Sequence, residues 1–358
     1  MRPLCLGQSV GCGQKNAHIV LAHHASSDKT QKAVCLTGPQ KGKHARRVGM
    51  IEIFFKTVPF FALIGLGYWA GRIRFFTEEA TAYLTKFVFY FALSAMLFRF
   101  SANLSFADVW DTNLVSGYLL GTVAVYLIAT IVGMIRRLDV ATVAVEAQCA
   151  AIGNVGFLGI PMLALLLGEA AIGVIMMALA VDLIVFSSLI VILITGSRDG
   201  RFSLRILRTI ALGLVKNPMI LAITSGLLWS ALAIPIPTPM NDFLTILGGA
   251  ATPGALFAIG ASLASKSAER LVIAGWLSFC KLVLHPLFVA IGVIILFPVD
   301  PYTAAVVISA SALPVAGNVY ILAQHYGVAS HRVSAAILVS TAISIVSVSF
   351  VIGLVAPL

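Results

Sequence analysis

The chain has 358 residues, of which 59% are apolar and only 11% charged, against roughly 25% charged in a soluble domain. The net charge of +10 is uneven: residues 1–49 hold eight of the 24 Lys and Arg and one of the 14 Asp and Glu, leaving +3 for residues 50–358. A soluble enzyme, a nucleic-acid-binding surface and a disulfide-stapled secreted domain are therefore poor fits, and a polytopic all-α membrane protein is expected.

Residues 1–49 contain no apolar run long enough for a signal peptide. Cys5, Cys12 and Cys35 lie at separations that match no common zinc spacing. With His18, His23 and His24 nearby they are read as part of a basic, disordered or mis-called extension rather than a metal site. The chain is expected to begin at Met50, where "MIEIFFKTVPFFALIGLGYWAG" opens the first apolar run.

A helix crossing the hydrocarbon core needs about 20 apolar residues. Ten such spans are expected, at 53–71, 83–98, 114–135, 147–168, 170–197, 217–241, 243–265, 271–299, 301–324 and 333–358. Within the fifth and eighth, Asp182 and Lys281 are the sole charges. Basic residues gather on the odd-numbered loops, with Arg72 and Arg74, then Arg136 and Arg137, then a linker at 198–216 carrying Arg198, Arg201, Arg205, Arg208 and Lys216, then Lys266 and Arg270, and lastly Arg332. Acidic residues mark even-numbered loops, through Asp108, Asp111, Glu169, Asp242 and Asp300. The positive-inside rule then places the odd loops in the cytoplasm and both termini outside a bacterial inner membrane.

Five spans precede the basic linker (repeat 50–197) and five follow it (repeat 217–358), so any repeat must be inverted. The fourth of each set is broken: "AIGNVGFLGIPMLALLLG" holds Asn154, Gly156 and Pro161, and "ASALPVAGNVYILAQHYG" holds Pro314, Gly317 and Asn318. Asn154 and Asn318 are 164 positions apart, the offset that also relates the starts of the two halves. Proline and glycine disfavour continuous helix, unwound backbone survives only away from lipid, and paired breaks point to a midplane binding site. The half-helix N-termini carry partial positive charge. With the two asparagine carboxamides, which either donate to a ligand or cap the broken ends, they suit a carboxylate.

At "GNVGFLGIP" and "LPVAGN", together with "FVFYFALSAMLF", "KNP", "TPGALFAIGASLA" and "KLVLHP", residues 50–358 resemble the auxin efflux carrier family and its bacterial organic-acid permeases. Ser94 stands where the family pattern has a proline. The resemblance implies an inverted five-helix repeat with crossing broken helices 4 and 9, like that of sodium–bile acid symporters and sodium–proton antiporters. It also implies a scaffold domain and an elevator-like transport domain, and carboxylate substrates such as auxin or malonate. On this reading Asn154, Pro161, Pro314 and Asn318 mark the crossover, with Gly156, Ser94, Gln148 and Tyr320 as further substrate-lining candidates. A homodimer through the scaffold helices is compatible with it. Asp182, Lys281 and His285 are candidates for proton or sodium coupling, since a charge buried in a membrane is costly to keep without a role; pairing of Asp182 with Lys281 and packing of His285 are the structural alternatives. A channel-like uniporter and an intramembrane enzyme remain as other classes. No HExxH or nucleophile elbow is present for the second, so no catalytic residue and no cofactor is expected.

Overall fold

A computed structural model describes residues 50–104, 110–199, 204–265 and 271–355. The proposed extension at 1–49, and Asp108, Arg201, Lys266 and Arg270 in the loops, lie outside the described residues. The described chain is helical, apart from one isolated antiparallel bridge between Gly153 and Val315.

Among the described residues thirteen helices follow in order: α1 Met50–Arg72, α2 Glu78–Ala102, α3 Thr112–Ile135, α4 Val140–Ala151, α5 Val155–Leu167, α6 Ala171–Arg198 and α7 Leu204–Val215. The second half adds α8 Pro218–Ala231, α9 Thr238–Ala264, α10 Leu271–Leu296, α11 Pro301–Ser311, α12 Gly317–Tyr326 and α13 Ser330–Val355. Seven of them, α1, α2, α3, α6, α9, α10 and α13, are long and apolar enough to cross a membrane. The expected span at 217–241 is cut short. Helix α8 ends at Ala231, and a proline-rich turn leads into α9 at Thr238. Its 14 residues cover about 21 Å, against a hydrocarbon core of about 30 Å. The basic linker also differs from a plain loop, since most of it forms α7.

The acidic loop residues have a local task. Asp111 accepts from the backbone N–H groups of Asn113 and Leu114, Asp139 from that of Thr142, and Asp300 from that of Thr303. Each caps the start of a helix where orphan N–H groups would otherwise go unpaired. These bonds to Thr142 hold the Asp139 carboxyl below the usual carboxylate range. Asn217 caps α8 in the same way, with Pro218 at the first helical position.

Helix packing divides into two groups. Helix α1 lies along the second half of α9, and α2 lies along α8. The contact of α1 with α9 is backbone to backbone: a β-carbon on Gly67 would lie 2.1 Å from the Phe257 carbonyl oxygen, and one on Gly260 would lie 1.9 Å from that of Ile64. Only glycine permits this approach. In the other group α3 packs on α4 and α10, α4 on α6, α11 on α6, α10 and α13, and α12 on α13. The groups meet where α1 touches α13 and α5, and where α9 touches α5.

Among the described residues five wide turns of π type occur, at Val88–Ala92 in α2, Val155–Gly159 at the start of α5, Asp182–Phe186 in α6, and Cys280–Leu284 and Ile291–Leu296 in α10. Such turns loosen the backbone ladder and recur at functional positions. At two of them a serine hydroxyl reaches back five residues: Ser94 donates to the Phe89 carbonyl and Ser187 to that of Asp182.

Candidate functional site at the helix crossover

Helix α4 stops at Ala151, and Ile152 is extended, with φ −94° and ψ 120°. Opposite it, α11 stops at Ser311, the chain turns through Ala312 and Leu313, and Pro314 to Ala316 lead into α12, Ala316 being extended with φ −72° and ψ 138°. The two unwound stretches cross as a minimal antiparallel ribbon. Asn154 N–H donates to the Pro314 carbonyl at 2.8 Å, and Ala316 N–H to the Ile152 carbonyl at 3.1 Å. Val315 N–H donates to the Ser340 hydroxyl of α13 at 3.1 Å. Backbone that a proline and glycines release from helix is thus satisfied inside the protein, the condition for keeping it at membrane depth.

Neither asparagine caps its half-helix: the starts of α5 and α12 have no side-chain cap bond. Both carboxamides instead line a small cavity of about 60 Å³, shared with Gly156, Asp182, Asn217 and Gly317. Two oxygens at this site are buried without a partner, Oδ1 of Asn318 and Oδ2 of Asp182. Unsatisfied buried polar groups in a membrane are costly and call for an explanation; a bound ligand or water in the cavity supplies one. Asp182 is otherwise held by Tyr118, whose hydroxyl donates to Oδ1 at 2.9 Å.

Beneath the ribbon lies a chain of hydrogen bonds. Lys281 is fully buried in the Cys280–Leu284 turn, and its Nζ donates to the Ser311 carbonyl at the end of α11 and is hydrogen-bonded to His285 Nδ1 at 2.7 Å. His285 Nδ1 also lies 3.1 Å from the Ser311 carbonyl, and its Nε2 is hydrogen-bonded to the Thr122 hydroxyl at 3.0 Å. That hydroxyl donates in turn to the Tyr118 carbonyl at 2.7 Å. A β-carbon on Gly153 would lie 2.9 Å from Cε and 3.0 Å from Nζ of Lys281, so the ribbon rests directly on the lysine. Asp182 and Lys281 do not pair: no salt bridge joins them among the described residues. They are linked indirectly, through Tyr118, Thr122 and His285.

The remaining candidates are dispersed. Pro314 contributes its carbonyl to the ribbon. Pro161 lines a different and larger cavity further along α5. Ser94, Gln148 and Tyr320 do not line the crossover cavity. Ser94 serves the wide turn in α2, Gln148 is buried in α4 with an unpartnered Oε1, and Tyr320 accepts from the Gln324 amide at 2.8 Å. Sequence reasoning missed Tyr118 and Thr122, because tyrosine and threonine within an apolar span carry no local signal of a partner on another helix.

Glu146 is 2% exposed within α4. Its carboxylate takes Arg136, at the end of α3, at 2.8 Å and Arg332, in the first turn of α13, on its other oxygen. Charge-assisted bonds of this kind are the strong ones, and this one ties three helices at the odd-loop end. Cys149 and Cys280 are buried free thiols. Among the described residues no group of three His, Cys, Asp or Glu is placed to hold a metal ion.

Comparison with known proteins identifies the family. A protein of Rhizobium meliloti (strain 1021) described as "Putative malonate transporter" is 29% identical over 312 residues, covering 86% of this chain and 97% of that protein. The family model described as "Membrane transport protein" matches residues 52–352, nearly all of the chain after Met50. A multi-pass helical chain with this crossover and this match belongs to the membrane transport protein family, that of the auxin efflux carriers.

Proposed function

We propose that the chain is a secondary carrier that moves a small organic anion, a carboxylate such as malonate or an auxin-like acid, across the bacterial inner membrane by elevator-type alternating access. The observation that carries this reading is the crossover cavity, where two uncapped half-helix starts, two free carboxamides and a buried carboxylate oxygen without a partner converge. Dipoles and amide donors gathered there offer an anion a site without a fixed cation in direct contact. The printed name of the Rhizobium relative supports a carboxylate as cargo.

Ten crossings in two inverted five-helix halves belong to the same proposal. The first half is α1, α2, α3, the broken pair α4–α5, and α6; the second is α8, α9, α10, the broken pair α11–α12, and α13. Helix pairing supports it. Crossing one packs on seven and crossing two on six, while three meets eight and the two broken crossings meet each other. A two-fold axis in the membrane plane exchanges members of the first two pairs and maps each of the others onto itself. On this scheme α1, α2, α8 and α9 form the scaffold, through which a homodimer would assemble, and the rest forms the moving body. Both termini lie outside the cytoplasm.

Coupling is assigned to Asp182, with His285 and Lys281 behind it, the coupled ion being a proton or sodium. In proteoliposomes, saturable counterflow of a labelled carboxylate is expected, with an initial rate that changes with pH. Asp182→Asn retains the bond from Tyr118 but removes the ionisable group, so its pH profile is expected to be flat. Flux that never saturates would favour a channel-like uniporter, and an unchanged pH profile in Asp182→Asn would make the aspartate structural.

A further inference from the structure

Helix α7, Leu204–Val215, joins the two halves and belongs to neither. Its 12 residues cover about 18 Å, too short to cross a hydrocarbon core of about 30 Å. It packs chiefly on α6 and α8, its own neighbours in sequence. Both of its ends are held. Helix α6, long and apolar enough to cross a membrane, closes at Arg198, whose guanidinium donates to the Tyr326 carbonyl at the end of α12. Helix α8 opens at Pro218, two residues beyond Lys216. A short helix strung between two crossings on one side of the membrane is confined to the level of the lipid headgroups.

Helical register divides α7 lengthwise. With 3.6 residues per turn, Leu204, Leu207, Ile210, Ala211, Leu214 and Val215 fall on one half of the circumference. Arg205, Arg208, Thr209 and Gly213 fall on the other, where Leu212 is the one apolar residue. The apolar half is not covered at its end by the described chain, since Val215 is 63% exposed. Arg208 and Lys216 are exposed too. The charge is of one sign: from Gly200 to Asn241 the sequence has no acidic residue. A solvated linker would account for the cations but would leave a continuous apolar stripe in water, and such a stripe marks an interaction surface.

We infer that α7 lies flat in the membrane–water interface, its apolar half among the acyl chains and its cations on the headgroups of anionic phospholipid. An apolar half opposite a basic one is the composition of helices that lie in this layer. Arginine and lysine there meet the negative potential of an anionic leaflet, which a zwitterionic leaflet does not offer. The arginine fork also matches the geometry of a phosphate. The inference requires both ends of α7 on one side of the membrane, the side that the positive-inside rule assigns to the cytoplasm. It is independent of the cargo.

The test places a spin label at Thr209→Cys or at Leu214→Cys, on opposite halves of the helix. Cys5, Cys12 and Cys35 are changed to serine, and the buried Cys149 and Cys280 are retained. The full chain is held in nanodiscs of phosphatidylcholine with or without phosphatidylglycerol. Collisions of the label with membrane-soluble oxygen are compared with those with a water-soluble nickel chelate. With phosphatidylglycerol present, the label at 214 is expected to favour oxygen and the label at 209 to favour nickel. Omitting phosphatidylglycerol should shrink this contrast, as should replacing Arg205 and Arg208 together by glutamine, each cation being worth about a fivefold change in affinity for an anionic surface. Concentrated salt should act in the same direction. Three results would each overturn the inference. High nickel access at both positions would make α7 a solvated linker, and shielding of 214 from both reagents would mean that protein covers it. A contrast indifferent to phosphatidylglycerol, salt and the glutamine pair would remove the anionic lipid. No transport is measured, so the carrier reading stands or falls separately on counterflow.

Discussion

Asn154→Ala and Asn318→Ala are each expected to reduce initial uptake by about 10- to 100-fold, the loss of one bond to a charged ligand being about 1.5–3 kcal/mol. Expression and thermal stability should stay close to wild type. Neither carboxamide caps its half-helix, and Oδ1 of Asn318 is buried without a partner, so removing it relieves an unsatisfied atom rather than breaking a contact. The ribbon is formed by backbone groups that alanine retains. Transport by both variants near the wild-type rate would reduce the crossover to a packing device, and the substrate would have to be held elsewhere.

Replacement of Gly260 should do the opposite, costing the fold rather than the chemistry. A β-carbon there would lie 1.9 Å from the Ile64 carbonyl oxygen and 2.8 Å from the Tyr68 nitrogen, both backbone atoms that no rotamer change can move. Helix α1 would have to shift bodily away from α9. Overpacking of this kind costs about 1–3 kcal/mol or more, and Gly260→Val is expected to yield no monodisperse protein by size-exclusion chromatography. Gly260→Ala should lower the melting temperature clearly, whereas Gly65→Ala, on the facing helix α1 with open space around it, should not. Equal melting temperatures for those two alanine variants would show that α1 and α9 are not in backbone contact.

The features legible in the sequence were those with a local cause. Uncharged runs announced a polytopic helical protein, and clustered glycine, proline and asparagine announced the two breaks, because helix interruption is decided by the residues at the interruption. The separation of 164 between Asn154 and Asn318 pointed to corresponding places in two halves, and the structure brings both residues to one cavity. What sequence concealed was partnership between distant helices. Asp182 was visible as a lone carboxylate, but its bond from Tyr118 depends on how α3 packs against α6. Glu146 stands at the mouth of the fourth apolar span; that Arg332, 186 positions later, closes over its other oxygen depends on where α13 begins. Ser94 and Gln148 were polar groups in apolar spans, but one was consumed by its own helix turn and the other does not line the cavity. The early end of α8 was hidden as well, since "IPIPTP" is apolar enough to extend a hydropathy run while its prolines prevent helix.

The bridge between Gly153 and Val315 has a consequence for how the chain is made. Its two strands are 162 residues apart, so at about 5–20 residues per second a ribosome needs roughly 8–30 s to supply the second after the first has emerged. Throughout that interval the Asn154 amide and the Ile152 carbonyl await partners that do not yet exist, and lipid offers none. The nascent first half must therefore be sheltered, by water at the insertion machinery or by a chaperone, until residues 314–316 arrive, and a chain terminated before them would be a natural target for membrane quality control.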